Sequence, residues 1–274
     1  MKTTNLIEEF LKEYENSEII FTRKLDKNKY STQMINYWRT HDHLKSVSHG
    51  IVCSPDKTSL CTEKCIADFD EQMGHGIRIS AGSALALFGY KVPELPENAI
   101  VINLGEKFNN VPQWSNISEL SRPIYTYRTN LFPDPETKFI DFDGKKIPVS
   151  SKEEAIMECI MLASTKCYRY LDVYKIFEQI DDLRVDVLQR LLETMSNKKV
   201  KRMFLFMSEN LAKPWFNKLN LDKISLGKGI YVTDQRGHLV KKYNLIVPHC
   251  IFDGGEFDKN LGKYGMRRMK SRNS

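Results

Sequence analysis

The 274-residue sequence predicts an α/β (α+β) protein, and two kinds of pattern lead to this prediction. Apolar residues recur at three- and four-residue spacing within residues 5–73 and again within 150–210, which is typical of amphipathic helices. Between these regions, β-branched and aromatic residues are concentrated at 99–104, 123–129 and 139–149, which predicts strands. The length allows two domains, or one domain with an appendage.

The first elements are predicted to be short and closely spaced. Asn5 to Tyr14 places its apolar residues on one face and predicts a helix. Ile19 to Phe21 predicts a short strand. The segment from Thr22 to Lys27, with Thr22 as its N-cap, predicts a second short helix.

A third helix is predicted after Ser31, which stands at an N-cap position. The apolar residues that follow recur on one face of this helix: Met34, Ile35 and Trp38. Leu44 to Cys53 then alternates apolar and polar residues around Ser48-His49-Gly50, which predicts a hairpin.

The order helix, strand, helix, helix, hairpin predicts a winged helix-turn-helix, in which the third helix enters the major groove of DNA. The polar face of that helix carries side chains that can hydrogen-bond base edges or phosphates: Thr32, Gln33, Asn36 and Arg39. One alternative is an ordinary three-helix surface module, and another is a winged helix that binds another protein and no specific DNA. We therefore predict a winged helix-turn-helix DNA-binding domain over residues 1–58, ending in the turn-rich segment Ser54 to Thr58.

Residues 59–274 are predicted to form a larger mixed α/β domain, with lobes at 59–149 and 150–252 and a basic tail at 253–274. Helices are predicted at Leu60 to Met73, Ser80 to Phe88, Ser151 to Leu162, Tyr170 to Ile180, Asp186 to Met195 and Lys198 to Asn210. The last of these helices would present Lys198, Lys201 and Arg202 as one basic face.

The charge distribution favours a phosphate-binding partner. The net charge is +6, and basic residues are concentrated in residues 21–50, around Lys198, and in the tail. Such patches are typical of nucleic-acid-binding proteins, although a run of lysines is more often only a solvated face. No apolar run reaches the length of a membrane span and the N-terminus does not resemble a signal segment, so we expect a cytoplasmic protein.

Two chemical sites are conceivable but not favoured. Cys61 and Cys65, with nearby Cys53 and with His75, could bind zinc, yet buried reduced thiols explain the scattered cysteines better. The pair Gly82-Ser83 is found at the start of nucleotidyltransferase sites, which also need two carboxylates for Mg²⁺. The Asp-x-Asp pair downstream of it, Asp141 and Asp143, lies at an expected hairpin turn, so we predict neither an enzyme nor a bound metal or cofactor.

The second half of the chain resembles one family. The segments SSKEEAIMECI, VDVLQRLLETMSNKKVKRMFLFMSE, KPWFNKLNLDKISLGKGIYV and KKYNLIVPHCI occur in the order found in the C-terminal domain of the AbiEi antitoxins. The resemblance covers about residues 150–252, and the segment GSALAL (residues 82–87), together with Gly89, is similar to an earlier part of the family. These proteins are transcriptional regulators of bacterial type IV toxin-antitoxin systems that act in abortive phage infection.

The resemblance implies two functions and two surfaces. The N-terminal domain would bind inverted repeats in double-stranded promoter DNA, and the C-terminal domain would counter an AbiEii-like nucleotidyltransferase toxin without a stable complex. The implied DNA-binding residues are Arg23, Lys24, Lys29, Ser31, Thr32, Gln33, Asn36, Arg39, Lys45, Ser48 and His49. The implied antitoxin surface consists of Lys198, Lys199, Lys201, Arg202, Lys228 and Arg236. The alternative interpretation is that these residues are only solvated charges without a binding role. The basic tail matches no motif, and added sequence-independent DNA affinity is one role it would suit.

Overall fold

The computed structural model of the protein describes residues 2–74, 76–105, 112–163 and 167–252. The chain divides into two compact units, one of residues 1–159 with 194–196 and one of residues 160–193 with 197–274. The predicted mixed α/β class is confirmed, since helices alternate with three β-sheets. The predicted boundary near residue 58 lies inside the first unit and stays a prediction.

The first unit begins with a small helical and β region. Its elements are α1 (Lys2–Glu13), β1 (Ile20–Phe21), α2 (Thr32–Thr40), β2 (Lys45–Ser48) and β3 (Ile51–Cys53). The strands form an antiparallel sheet in the order β1-β3-β2. Phe10 of α1 and Trp38 of α2 are fully buried in its core, with ring centroids 5.3 Å apart. The predicted third helix and hairpin are therefore confirmed as elements.

The predicted second helix from Thr22 to Lys27 is wrong. Only one 3₁₀ turn, Thr22–Lys24, forms, and Leu25 after it is extended. The hydroxyl of Thr22 does not cap a helix and instead donates to the carbonyl oxygen of Gly50, at 3.1 Å. Leu25 is buried in the same core, so packing rather than helix formation fixes this segment.

The rest of the first unit is built on a five-stranded mixed sheet. Its elements are α3 (Thr62–Met73), β4 (Arg78–Ile79), α4 (Ala81–Leu87), β5 (Ile100–Asn103), β6 (Ile124–Tyr127), β7 (Thr137–Phe142), β8 (Lys145–Ser150) and α5 (Lys152–Leu162). The strand order is β6-β5-β4-β8-β7, with β5 parallel to β6 and β4 parallel to β8. The predicted strands and the β7–β8 hairpin are confirmed. The last residues of α5 belong to the second unit.

Helix α3 holds the connection between α1 and β1 in place. The buried carboxylate of Asp68 accepts the backbone N–H groups of Glu18 and Ile19, at 2.6 and 3.0 Å. The side-chain amide of Gln72 bonds β1 in the same region, accepting from Phe21 and donating to Ile19. Residues 1–58 are thus hydrogen-bonded to the sheet-bearing part of their own unit.

Among the described residues, the second unit combines three long helices and one short helix with a small sheet. Its elements are α6 (Tyr170–Gln179), α7 (Val185–Thr194), α8 (Lys198–Asn210), β9 (Tyr231–Val232), β10 (His238–Val240), β11 (Leu245–Val247) and α9 (His249–Phe252). The sheet has the order β10-β11-β9. The three long helices were predicted and are confirmed, whereas the sheet was not predicted. Within the described ranges, no helix is long and apolar enough to cross a membrane.

Candidate nucleic-acid interface

The exposed face of α2 is defined at its start by a cap. The hydroxyl of Ser31 accepts the backbone N–H of Met34 at 3.2 Å, as predicted for an N-cap. Ile35 and Trp38 are buried, so the opposite side of the helix must face solvent. All of the predicted base-reading side chains are exposed there: Thr32, Gln33, Asn36 and Arg39.

The end of α2 is fixed by a left-handed residue after the C-cap and by two backbone hydrogen bonds. Asp42 takes this conformation with φ = 56°. The backbone N–H groups of His43 and Leu44 then both donate to the carbonyl oxygen of Trp38, at 2.9 and 3.2 Å. Since Leu44 is buried, the helix end and the start of the hairpin have one defined geometry.

One hydrogen bond joins the helix to the hairpin. The guanidinium of Arg39 donates through Nη2 to Oγ of Ser46 on β2, at 3.2 Å. Both groups are exposed. The arginine therefore lies where the helix and the hairpin meet, and its remaining N–H groups can donate to a phosphate or to guanine.

Two of the implied phosphate-binding lysines make contacts within the chain. Nζ of Lys29 lies 2.9 Å from Glu9 and 2.7 Å from Glu13, both on α1. This ammonium is the main reason why the pKa of Glu13 is lowered. Lys45 lies 3.5 Å from the carboxylate of Glu119. These pairs give the two lysines structural roles that the sequence did not predict.

The other implied DNA-binding residues are at least partly exposed. Arg23, Lys24 and His49 are exposed, and Ser48 is half-buried at the end of β2. Nη2 of Arg23 lies 3.5 Å from the sulfur of Met73. None of these side chains is buried in the core.

Sequence analysis missed an aromatic residue on this face. Tyr37 is 47% exposed and lies one turn after Gln33. Its ring stacks on that of His41, with centroids 3.9 Å apart, and Nδ1 of His41 lies 2.9 Å from the carbonyl oxygen of Tyr37. The signal was available, because residue 37 follows Gln33 by four residues and helical spacing therefore places the two side chains next to each other.

The predicted basic surface on α8 is wrong for two residues. Lys201 and Arg202 are fully buried. Nζ of Lys201 donates to the carbonyl oxygen of Glu193 at 3.2 Å, and burial lowers the pKa of this lysine to about 8. The guanidinium of Arg202 donates to the carbonyl oxygens of Leu226, Gly227, Gly229 and Asn244, at 2.7–3.1 Å. These long side chains enter the core because backbone carbonyl groups there accept their protons.

The remaining members of that predicted surface differ in exposure. Lys198 is half-buried and donates to the carbonyl oxygen of Ser225 at 3.1 Å. Lys199 is half-buried beside the ring of Tyr170, and burial lowers its pKa. Lys228 and Arg236 are exposed. The six residues therefore do not form one solvated basic face.

The residues considered for catalysis have structural contacts. Oγ of Ser83 accepts the backbone N–H of Val101 at 2.9 Å, and Asp141 accepts that of Gly144 in the β7–β8 turn. The exposed carboxylate of Asp143 lies 2.6 Å from Nζ of Lys64. These contacts account for the three side chains without a bound nucleotide.

The cysteines considered for zinc differ in exposure. Cys65 is fully buried, and Sγ of Cys61 donates to Glu63 at 3.6 Å. His75 lies outside the described residues. Within the ranges that the structure describes, no group of three or more His, Cys, Asp or Glu is arranged to hold a metal ion.

The fold and the exposed face of α2 define a mixed α/β protein with a candidate DNA-binding surface near its N-terminus. A family model described as "Transcriptional regulator, AbiEi antitoxin, Type IV TA system" matches residues 98–248, more than half of the chain. The chain belongs to this family of AbiEi antitoxins. The resemblance deduced from the sequence is thereby confirmed, and the match begins upstream of residue 150. The residues matched by the family model do not include α2 or the β2–β3 hairpin.

A comparison with solved structures supports the fold. The crystal structure of the RV2827C protein from Mycobacterium tuberculosis is similar, with a TM-score of 0.52 and 13% sequence identity over 78% of each chain. At this identity the similarity concerns the fold alone. No curated protein matches the sequence.

Proposed function

We propose that the chain is the antitoxin and transcriptional repressor of a type IV toxin-antitoxin system, and that it acts in the bacterial cytoplasm. Residues 1–58 bind inverted repeats in the promoter of its own operon as a winged helix-turn-helix. The larger part of the chain counters a nucleotidyltransferase toxin in abortive phage infection. Membership of the AbiEi family supports the assignment to this kind of system.

The observation that carries the DNA-binding proposal is the polar face of α2 next to the hairpin. Gln33, Asn36 and Arg39 are exposed on one face, and the Arg39–Ser46 hydrogen bond fixes that face relative to β2. Glutamine and asparagine match adenine, and arginine matches guanine, in the major groove. The hairpin can then contact the phosphate backbone beside the groove.

Binding to the protein's own promoter tests the repressor function. We expect the full-length protein to bind the upstream promoter fragment more tightly than a scrambled fragment of equal length, with an affinity that falls as salt rises. Gln33→Ala combined with Arg39→Ala should remove the preference for the promoter without changing thermal unfolding. Equal binding of promoter and scrambled DNA by the wild type would contradict the proposal.

Growth rescue tests the antitoxin function separately. The same double variant should still protect cells that express the toxin, because its substitutions lie on α2 and leave the rest of the chain unchanged. Loss of protection in this variant, with normal folding, would mean that DNA binding and toxin neutralisation are not separate functions.

A further inference from the structure

Two histidines of the second unit turn the same ring nitrogen toward each other. Nδ1 of His238 on β10 lies 3.3 Å from Nδ1 of His249 at the start of α9. The ring centroids are 5.2 Å apart, farther than the nitrogens, so the rings lie behind the two atoms that face each other. The residues are 11 positions apart in the chain, and their pairing was not predicted from the sequence.

The fold brings the two backbones close together. His238 is paired with Val247 across the β10–β11 ladder, and His249 follows Val247 by two residues. Gly237, just before His238, lies so near β11 that an added Cβ would be 2.1 Å from the carbonyl oxygen of Val247. A larger residue at this position would push the two strands apart. The glycine therefore sets how closely His238 approaches the chain that leads to His249.

One face of the His238 ring is covered by α9. The ring of Phe252 stacks on it, with centroids 4.0 Å apart and an angle of 19° between the planes. Ile251, the residue before Phe252, is fully buried and anchors this short helix. His238 is nevertheless exposed, and His249 is half-buried. The stacked ring is therefore fixed in direction while water and dissolved ions can reach the pair.

The distance between the nitrogens favours a metal chelate over a direct hydrogen bond. Imidazole nitrogens bind zinc at about 2.0–2.1 Å in tetrahedral geometry, so two of them on one ion lie about 3.3–3.4 Å apart. The Nδ1 atoms of His238 and His249 have this separation. Nitrogen donors usually lie within about 3.2 Å of their acceptors, so the contact is long for a hydrogen bond.

The ligand type narrows the choice of ion. Imidazole suits zinc, copper and nickel, whereas Mg²⁺ and Ca²⁺ prefer oxygen ligands. In the part of the chain that the structure describes, no third His, Cys, Asp or Glu completes a metal-binding group here. Water would fill the other positions of the tetrahedron. With two protein ligands instead of the four of a structural zinc site, the ion would bind reversibly.

We propose that His238 and His249 bind one divalent transition-metal ion through their Nδ1 atoms, with Zn²⁺ as the preferred ion. The bound ion joins β10 to the start of α9. Both histidines bind as neutral imidazoles, whose Nδ1 lone pairs point at the ion. The site does not depend on the proposed DNA binding or toxin neutralisation.

NMR of the histidine ring signals in the full-length protein tests this proposal with zinc chloride. The Cε1–H signals of His238 and His249 should shift together and saturate with one ion per chain, whereas magnesium chloride at the same concentration should leave them unchanged. The signal of His49, an exposed histidine in the first unit, should not follow the same saturation curve. Absence of a saturable zinc shift at the pair, or an equal shift at His49, would overturn the proposal and leave the contact as a hydrogen bond.

Substitution by asparagine separates metal binding from hydrogen bonding, because an amide still forms hydrogen bonds but does not replace imidazole as a zinc ligand. His238→Asn and His249→Asn should each weaken zinc binding, followed at the remaining ring of the pair, by at least about tenfold, since the second imidazole binds an ion that the first already holds. His49→Asn is the matched control and should bind zinc at the pair as the wild type does. Wild-type zinc affinity in either His238→Asn or His249→Asn, with an unchanged circular dichroism spectrum, would contradict the proposal.

Discussion

The carboxylate of Asp68 on α3 accepts the backbone N–H of Ile19 at 3.0 Å, and both residues are fully buried. The same carboxylate accepts from Glu18 and forms an ion pair with Lys145 at the start of β8. It therefore joins the chain entering β1 to the helix and sheet that follow. The first 58 residues are attached by these contacts as well as by the peptide chain.

The first prediction concerns the stability of this junction. Asp68→Ala would leave the ammonium of Lys145 without its buried partner and two N–H groups without their acceptor. Removing one member of a buried pair typically costs about 3–5 kcal/mol, and we expect a loss of this size in the free energy of unfolding. Urea denaturation of the full-length protein would measure it.

Another aspartate–lysine pair in the same unit is the control. Asp143 pairs with Lys64, but its side chain is 81% exposed. Asp143→Ala should therefore change the free energy of unfolding far less than Asp68→Ala, because solvent screens an exposed pair. Similar losses for the two variants would show that burial of Asp68 does not determine its contribution.

The second prediction concerns pH. Burial raises the pKa of Glu154 from its ordinary value of 4.5 to about 7, although Arg78 lies 3.5 Å away. The folded protein keeps this proton between pH 4.5 and 7 whereas the unfolded chain releases it, so the contribution of Glu154 to stability falls as the pH rises through this range. Glu154→Gln removes the titration. The variant should gain about 3 kcal/mol relative to the wild type between pH 4.5 and pH 8.

A carboxylate with the opposite shift provides the control for this titration. The hydroxyl of Ser118 donates to Glu119 at 3.0 Å and is the main reason why the pKa of Glu119 is lowered. Glu119→Gln should therefore lose stability relative to the wild type as the pH rises above the acid range. Parallel unfolding curves for the wild type and Glu154→Gln at every pH would contradict the assignment of Glu154.

The third prediction separates base reading from structural contacts in the proposed DNA-binding region. Asn36 is exposed on α2, and Asn36→Ala should cost about 1–3 kcal/mol of binding to promoter DNA but little with scrambled DNA. Lys29 pairs with Glu9 and Glu13 at the surface, so Lys29→Ala should lower stability only slightly and leave DNA affinity unchanged. Fluorescence anisotropy with both DNAs measures each effect. A uniform loss of affinity in Lys29→Ala would instead make this lysine a phosphate contact.

Local patterns were sufficient to predict α2 and its exposed face. The cap residue Ser31 and the spacing of the buried residues Ile35 and Trp38 can be recognised from this short stretch of sequence alone. The short 3₁₀ turn at Thr22–Lys24 could not be predicted in the same way, because Thr22 bonds to Gly50 on the hairpin. That partner lies 28 residues further along the chain.

The same reason explains the error on α8. Charge and spacing assigned Lys201 and Arg202 to a solvated face, but the acceptors of Arg202 lie 24 to 42 residues further on. The small sheet β10-β11-β9 was missed for a related reason, since its strands are two or three residues long and are too short to show an alternating pattern. Non-local carbonyl groups, rather than the helix itself, determine where these long side chains go.

The last prediction tests this structural role of Arg202. Arg202→Ala would leave the carbonyl groups of Leu226, Gly227, Gly229 and Asn244 without this donor, and we expect the free energy of unfolding to fall by more than about 3 kcal/mol. Arg202→Lys should restore only part of the loss, because an ammonium cannot reproduce the planar array of guanidinium donors. An exposed arginine of the same unit, Arg236, is the control, and Arg236→Ala should change stability by about 0.5 kcal/mol or less. Thermal unfolding would measure all three variants, and hydrogen exchange of residues 226–232 should increase in Arg202→Ala alone. Equal unfolding temperatures for Arg202→Ala and Arg236→Ala would return Arg202 to the class of solvated charges.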